Sequence, residues 1–261
     1  MSVRKKDILG HIIGIFLSFF CIFALRMRDF KIVHIEETDS TNRWMKENGE
    51  GKMVVVADYQ TAGKGCGSNS WESERGKNLL LSILVHPQQL EAKNQFIVTQ
   101  IVSVALCKTL EEYVSAPVEI KWPNDIYVGD KKICGVLIEN KLQGCMIKDS
   151  IIGIGLNVNQ QAFKSDAPNP VSIRQLTGRE TDLKELLSVF LKHLENTAQS
   201  KTNPADYRNR MYRRQGLHPF RTKSICFNAR IIGVNDDGRL MLQDENGVAH
   251  LYAFKEVVFV I

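Results

Sequence analysis

Residues 118–139 read VEIKWPNDIYVGDKKICGVLIE, and this stretch sets the expectation for the fold. Its apolar and β-branched residues predict three short strands, Val118–Lys121, Ile126–Val128 and Lys132–Glu139. The Gly129-Asp130 pair between the last two is typical of a hairpin turn. Because hairpins join antiparallel strands, the stretch indicates a sheet that is not purely parallel.

Outward from this stretch, strand and helix patterns are mixed along the chain. Strands are predicted at Phe30–Ile35, Met53–Ala57, Leu79–Val85 and Ser150–Asn159, and helices at 41–48, Ile97–Tyr113, Leu183–Leu194 and Pro204–Arg214. Residues 60–78 are rich in Gly, Ser and Asn and predict a long loop, which in a compact domain is usually functional or disordered. This order predicts an α/β or α+β catalytic domain over residues 27–215, and the hairpins favour α+β.

The character of the chain changes at Gly216. Four short β-like runs follow, at Ser224–Val234, Arg239–Gln243, Val248–Tyr252 and Val257–Ile261. They are separated by Asp237-Gly238 and Asn246-Gly247, dipeptides that signal hairpin turns. Residues 216–261 therefore predict a small, separate β-barrel. Its charges balance, which favours contact with protein or cover of a site over binding of phosphates.

Composition excludes several classes of protein. The chain has 261 residues, 44% of them hydrophobic and 24% charged, as in an ordinary globular protein. The net charge is +5, but residues 1–31 alone carry six cations and two anions, so the remainder is almost neutral. That balance argues against a nucleic-acid partner. No two of the six cysteines have CxxC spacing, which argues against a zinc site and suits a reducing compartment.

An apolar run at residues 8–25, ILGHIIGIFLSFFCIFAL, stands apart from the rest. Its 18 residues are about the minimum that spans a hydrocarbon core. Three interpretations stay open: a membrane anchor, an uncleaved signal, or an upstream extension outside the working protein, with Met27 as the true start. We treat residues 1–26 as a hydrophobic N-terminal extension and expect membrane contact only if residues 8–25 are retained.

Four short motifs are candidates for chemistry. They are Ser40-Thr41-Asn42, the loop Gln60–Gly67 (QTAGKGCG), Lys121–Asp125 (KWPND) and Gly153–Asn157 (GIGLN). Glycines let backbone N–H groups approach an anion closely, and glycine inside a strand often marks close approach of a ligand. Each motif also has a structural explanation alone: a helix N-cap, a flexible surface loop, an edge-strand lysine, or close strand packing.

Together the four motifs resemble biotin protein ligase, and the resemblance covers about residues 30–261. KWPND followed by Gly135–Glu139 (GVLIE) is its most specific part. The resemblance implies a class II synthetase-like catalytic domain with a mixed sheet and flanking helices, followed by a C-terminal SH3-like β-barrel. Some members carry an N-terminal winged-helix domain, which we expect to be absent because fewer than 30 residues precede the first strand.

The resemblance also implies the chemistry. Biotin is joined to AMP from ATP, with Mg²⁺, and is then transferred to a lysine of the biotin carboxyl carrier protein of acetyl-CoA carboxylase. Bringing the carboxylate to about 4 Å from the α-phosphate costs roughly 4 kcal/mol at an effective dielectric near 20. A fixed lysine offsets that repulsion in the transition state. By resemblance Lys121 has this catalytic role.

The remaining site residues are also assigned by resemblance. Those expected to bind biotin are Ser40, Thr41, Asn42, Gln60, Lys64, Gly65, Cys66 and Lys121. Those expected to bind ATP or the adenylate are Gly63, Lys64, Trp71, Lys121 and Asn157, and no protein metal ligand is expected. The family loop commonly reads Gly-Arg-Gly-Arg, whereas this chain has Lys64 and Cys66 in place of the arginines. Lysine lacks the bidentate fork and cysteine lacks the charge, so retention of the adenylate is in question.

Two other functions stay open at this stage. One is a lipoate–protein ligase of the same fold, against which KWPND and GIGLN favour biotin. The other is a non-catalytic, membrane-tethered biotin-binding protein, suggested by residues 8–25 and the altered loop. The working interpretation is a cytoplasmic biotin ligase.

Overall fold

The computed structural model describes residues 26–165, 169–200 and 204–261. The predicted extension over residues 1–26 lies outside these ranges except for Arg26. No helix within the described ranges is both long and apolar enough to cross a membrane.

The larger part of the chain is built on one mixed, seven-stranded sheet with the strand order β1-β2-β3-β7-β6-β5-β4. Its strands are β1 (Lys31–Thr38), β2 (Met53–Gln60), β3 (Leu79–Val85), β4 (Val118–Lys121), β5 (Asp125–Val128), β6 (Lys131–Gln143) and β7 (Met146–Leu156). Only the edge pair β1–β2 is parallel, and the other neighbours are antiparallel. The central strand β3 is buried along its whole length, and Ser82 is its single polar residue.

Helices cover this sheet. They are α1 (Thr41–Asn48), α2 (Phe96–Leu110), α3 (Ile173–Thr177), α4 (Leu183–Gln199) and α5 (Pro204–Asn209). Helix α2 is buried on nearly all sides, whereas α4 buries one stripe of leucines and Phe190, as expected for a helix lying on a core. Helix α1 follows β1 directly, so its N-terminus lies at the carboxyl end of that strand.

A second, antiparallel sheet of five strands follows. Its strands are β8 (His218–Arg221), β9 (Cys226–Val234), β10 (Leu240–Asp244), β11 (Ala249–Tyr252) and β12 (Val258–Phe259), in the order β11-β10-β9-β8-β12. Phe220 packs on Phe259 with ring centroids 4.9 Å apart, and Phe259 packs on Tyr212 at 5.9 Å. These rings join the small sheet to the core of the large one.

The predicted fold class, α+β with a small C-terminal β structure, is confirmed. The Gly129-Asp130 hairpin is present, with Gly129 in the left-handed region at φ 57°. The strand β8 was missed, because Pro219 interrupts an already short run. The helix predicted to reach Arg214 ends at Asn209, because the backbone of Arg210 and Tyr212 instead bonds to Ile120 of β4.

Candidate active site

A cleft of about 800 Å³ opens over the middle of the large sheet. Its floor is formed by β6 and β7, its walls by the start of α1, the loop after β2 and the KWPND turn, and its rim by residues 254–259 of the small sheet. Four lysines line it, Lys64, Lys121, Lys132 and Lys255, against the two carboxylates of Glu72 and Asp125. Both carboxylates bond within the protein, so the cleft is suited to an anionic ligand.

Lys121 ends β4 and is half-buried in the cleft. Its ammonium donates to Tyr127 Oη at 3.2 Å and lies 5.0 Å from the centre of that ring and 5.7 Å from the centre of the Phe259 ring. Burial lowers the pKa of Lys121, and repulsion from Lys132 and Arg213 adds to the effect, while Asp125 opposes it. Among the described residues no carboxylate lies within 4 Å of this ammonium. Within the described residues Lys121 is thus a cation without a direct ion-pair partner, although Asp125 attracts it electrostatically.

Lys132 is a second cation in the cleft, which sequence analysis did not single out. Its Nζ pairs with Asp125 Oδ1 at 2.7 Å and lies 5.6 Å from the Trp71 ring. Strand β6 shifts register against β5 between Ile126 and Tyr127, and that irregularity decides which face of β6 Lys132 occupies. Strict alternation along the sequence does not reveal such a shift.

A polar network lies at the other end of the cleft, at the start of α1. Gln60 Oε1 accepts from Thr41 N at 2.7 Å and from Thr41 Oγ1 at 3.1 Å. Ser82 Oγ lies 2.8 Å from Thr41 Oγ1 and 2.6 Å from Asn42 Oδ1. Ser40 occupies the N-cap position, yet its side chain makes no cap hydrogen bond and lines the cleft instead. This end of the cleft can therefore bind a polar ligand group through hydrogen-bond donors and acceptors that are held in fixed positions.

Glu139 and Lys46 fix the orientation of the Asn42 side-chain amide. Asn42 Nδ2 donates to Glu139 Oε2 at 2.8 Å, and Lys46 Nζ donates to Glu139 Oε1 at 2.6 Å. Burial raises the pKa of Glu139, but the bonds from Lys46 and Asn42 outweigh it, and the net pKa is below the usual value. Glu139 therefore stays ionised and holds the Asn42 amide with its oxygen toward Ser82.

The loop after β2 is folded back on itself rather than open. Gly63 O accepts a hydrogen bond from Trp71 N at 2.8 Å, and Gly65 N donates to Asn69 O at 2.8 Å. Between them, the backbones of Lys64 and Ser70 form an antiparallel β-bridge. The loop is thus a small hairpin that presents Lys64, Gly65 and Cys66 to the cleft.

Trp71 and Asn42 pack where β7 carries its two glycines. A Cβ at Gly155 would overlap the Trp71 ring, and a Cβ at Gly153 would overlap the Asn42 amide. The sequence indicated close approach of a ligand or backbone at these glycines, and the structure shows that side chains take the space. Trp71 Nε1 is buried without a partner among the described residues, as is Asn157 Oδ1. Unpaired buried polar atoms beside a cleft are candidates for ligand contacts.

The small sheet completes the wall. Trp122 Nε1 donates to Gly238 O at 2.9 Å, and the Trp122 ring meets Phe254 edge-on at 6.1 Å. Tyr207 Oη donates to Pro123 O at 2.7 Å. The KWPND turn is therefore held between the small sheet and helix α5, and these contacts fix the position of Lys121 at the end of β4.

The structure brings nearly all of the predicted site residues to this one cleft. Those that line it are Ser40, Thr41, Asn42, Gln60, Lys64, Gly65, Cys66, Trp71, Lys121 and Asn157. Gly63 lies behind the lining, where its carbonyl closes the hairpin. Sequence analysis missed Ser82, Lys132 and Glu139. Ser82 did carry a signal, because it is the single polar residue of the buried strand Leu79–Val85.

Comparison with known proteins identifies the class to which this fold and cleft belong. Residues 34–157 match the model of the biotin/lipoate A/B protein ligase family. The chain is 30% identical over 243 residues to the bifunctional ligase/repressor BirA of Bacillus spizizenii, an alignment that covers 84% of this chain and 70% of the relative. It is also 29% identical over 166 residues to the biotin–[acetyl-CoA-carboxylase] ligase of Paracoccus denitrificans, covering 60% of this chain and 68% of that one.

A solved structure shares the fold. The biotin protein ligase from Aquifex aeolicus, in complex with biotin and ATP, superposes with a TM-score of 0.72 at 24% identity, covering 87% of this chain and 97% of that one. The chain belongs to the biotin protein ligases of the biotin/lipoate A/B protein ligase family. The alternatives of a lipoate–protein ligase and a non-catalytic biotin-binding protein are not favoured by these relatives.

Proposed function

We propose that this protein activates biotin as biotinyl-5′-AMP at the expense of ATP and transfers the biotinyl group to a lysine of a carboxylase carrier domain. The observation that carries the proposal is Lys121, a half-buried ammonium without a carboxylate partner among the described residues. It lies in a cleft that has a fixed polar network at one end and Trp71 with Asn157 at the other.

The polar network fits the polar ring of biotin. Thr41, Asn42 and Gln60 present both donors and acceptors, and Ser82 and Glu139 hold them in place. A preorganised network of this kind discriminates against ligands that leave its members unpaired. The apolar side chains of Val136, Leu137 and Ile154 line the path from this end of the cleft and suit an aliphatic tail.

In the first step, a carboxylate oxygen of biotin attacks the α-phosphorus of ATP. The new C–O–P linkage forms as the bond from the α-phosphorus to the pyrophosphate oxygen breaks, and pyrophosphate leaves. Lys121 acts as a fixed cation beside the two anions, and its effect is greatest where charge accumulates in the transition state. Lys132 adds a second positive charge, partly neutralised by Asp125.

In the second step, the neutral amine of the carrier lysine attacks the carbonyl carbon of the mixed anhydride. The amide C–N bond forms, the C–O bond to AMP breaks, and the amine proton is lost to solvent. The hairpin at Lys64–Cys66 lies beside the cleft and covers the adenylate between the two steps.

Mg²⁺ belongs to the proposal through the chemistry of ATP. Within the described ranges no group of three His, Cys, Asp or Glu side chains is placed to hold a metal ion. Of the buried side-chain oxygens without a hydrogen-bond partner among the described residues, Asn157 Oδ1 is the one whose residue lines the cleft. Mg²⁺ prefers oxygen ligands and commonly takes one or two from protein and the rest from phosphates and water, so Asn157 is a fitting contributor. When bound, the ion neutralises phosphate charge.

We also propose the division of labour along the chain. Residues 27–215 supply the catalytic cleft, and residues 216–261 supply its rim and the support of the KWPND turn. We propose the biotin carboxyl carrier protein of acetyl-CoA carboxylase as the carrier, and the Paracoccus relative, named a biotin–[acetyl-CoA-carboxylase] ligase, supports this choice. The proposal includes no nucleic-acid partner, and it includes membrane contact only if residues 8–25 are retained.

The test measures pyrophosphate release with ATP and either biotin or lipoate, without carrier, followed by mass analysis of a carrier domain after addition. We expect pyrophosphate release with biotin alone and a single biotinyl adduct on the carrier lysine. Release with lipoate and not biotin would assign the other substrate. Binding of biotin without any release would contradict the enzymatic proposal.

A further inference from the structure

Lys255 stands at the tip of a tight turn between β11 and β12. Its backbone is left-handed, with φ 70°, a conformation that side chains with a Cβ rarely adopt. The turn is fixed on both sides, because Glu256 N donates to Ala253 O at 3.1 Å and Ala253 N donates to Glu256 Oε2 at 2.7 Å. The carboxylate next to Lys255 is thus occupied by the backbone. A strained residue held by its surroundings is a reason to look for a function.

The side chain of Lys255 crosses from the small sheet to the hairpin of the large one. A Cβ added at Gly67 would overlap Lys255 Nζ and lie 3.6 Å from its Cε. Gly67 is itself left-handed, at φ 72°, so the hairpin turns at the point that the ammonium reaches. Among the described residues no carboxylate lies within 4 Å of Lys255 Nζ, and its recorded ring contact is Phe254 at 5.9 Å.

The hairpin formed by residues 63–71 has no positive charge of its own next to Gly67, the residue that Lys255 approaches. Cys66 precedes Gly67, lines the cleft and carries no positive charge, and Ser68 follows. Lys64 is the one cation of the hairpin from Gly63 to Trp71, and its charge bears on Glu139 at the biotin end of the cleft. The cation next to the Cys66–Ser68 segment is therefore Lys255, which belongs to the small sheet.

We propose that Lys255 binds the adenylate phosphate from the small sheet and holds the hairpin closed over it, in place of a cation at position 66. The inference rests on the proposed function and deepens it, because it assigns to residues 216–261 a direct part in retaining the intermediate. Lys255 is a positioning residue for the hairpin and a phosphate contact, and it takes no part in bond making.

The test compares three variants of the full chain. K255Q keeps the stem and the backbone strain but removes the charge, K255R restores a cation, and K255G removes both charge and strain. K223G, in the β8–β9 turn away from the cleft, is the matched control. Each protein forms adenylate from biotin and ATP without carrier, and a lysine-rich bystander protein is then added. The quantity measured is bystander biotinylation per pyrophosphate released.

We expect K255Q and K255G to raise that ratio by about tenfold, the effect of losing one charge-assisted hydrogen bond to a phosphate. K255R and K223G should match the native protein. In a C66R background the effect of K255Q should disappear, because position 66 then supplies the cation. Equal ratios for K255Q and the native protein, or an unchanged effect of K255Q in the C66R background, would overturn the inference. Absence of biotin-dependent pyrophosphate release from every variant would instead overturn the proposed function.

Discussion

Lys121 and Tyr127 lie diagonally across the antiparallel pair β4–β5, in which Lys121 is paired with Asp125, and Lys121 Nζ is 3.2 Å from Tyr127 Oη. Burial raises the pKa of Tyr127, and the nearby carboxylate of Asp125 raises it further, so the phenol stays neutral. A neutral acceptor orients the ammonium without cancelling its charge. The pair therefore keeps a full positive charge available to a ligand in the cleft.

Lys121→Ala should lower kcat/KM for biotin-dependent pyrophosphate release by about 10²- to 10³-fold, the usual effect of removing one preorganised group that stabilises transition-state charge. Circular dichroism should show an unchanged fold, since Lys121 ends its strand and its ammonium faces a cleft. The control is Lys131→Ala, an exposed lysine at the start of β6. Near-normal pyrophosphate release by Lys121→Ala would remove Lys121 from the catalytic role.

The lowered pKa of Lys121 predicts the pH dependence of the first step. A lysine whose pKa is lowered loses its proton, and hence its charge, at a lower pH than the ordinary value of 10.5. Adenylation should therefore be constant below the lowered pKa and fall as the pH rises through it. Lys121→Arg stays protonated, so its alkaline fall should lie at higher pH, whatever its absolute rate. The measurement is kcat/KM for pyrophosphate release without carrier as a function of pH, for the native protein and for Lys121→Arg. If the activity of both proteins fell over the same alkaline pH range, titration of Lys121 would be excluded as the cause.

Much of the fold could be predicted because its signals are local. Alternation and turn dipeptides located all seven large-sheet strands, each end to within four residues, and Gly129 marked its hairpin. What the sequence did not show depends on contacts between distant segments. Strand β8 exists because β9 and β12 pair with it, and α5 ends where Arg210 bonds to Ile120.

The candidate site divides in the same way. Lys121, Trp71 and Asn157 stood in motifs, and the structure places all three in the cleft. Glu139 and Ser82 form hydrogen bonds to the side chain of Asn42 and orient it. The spacing along the chain gives no sign that positions 42 and 139 are in contact. In the sequence, Lys255 is only one charge of a small domain whose charges balance. Its proximity to Gly67 arises from the packing of the two sheets, which no motif records.

Gly155→Ala should displace Trp71, because a Cβ there would lie 2.6 Å from Trp71 Nε1 and 2.8 Å from Cδ2. We expect a loss of about 1–3 kcal/mol in the free energy of unfolding, as for other overpacked sites, and a higher KM for ATP than for the native protein. Urea denaturation and initial rates measure the two effects. In a Trp71→Ala background the added methyl group should cost little stability. A stable Gly155→Ala protein with native KM for ATP would show that Trp71 has no fixed place against β7.

The hairpin at Lys64 and Cys66 should retain the adenylate less well than a hairpin with arginine at both positions. Arginine binds phosphate through two parallel N–H bonds, whereas lysine is a point charge and cysteine has none. If Lys255 supplies one of the missing charges, the remaining deficit is about one charge-assisted bond, or roughly tenfold in escape rate. The native protein and the double variant K64R/C66R would form adenylate without carrier and then meet a lysine-rich bystander. We expect about tenfold less bystander biotinylation per pyrophosphate released by the double variant. Equal labelling by the two proteins would show that Ser68, Asn69 or backbone amides already close the hairpin fully.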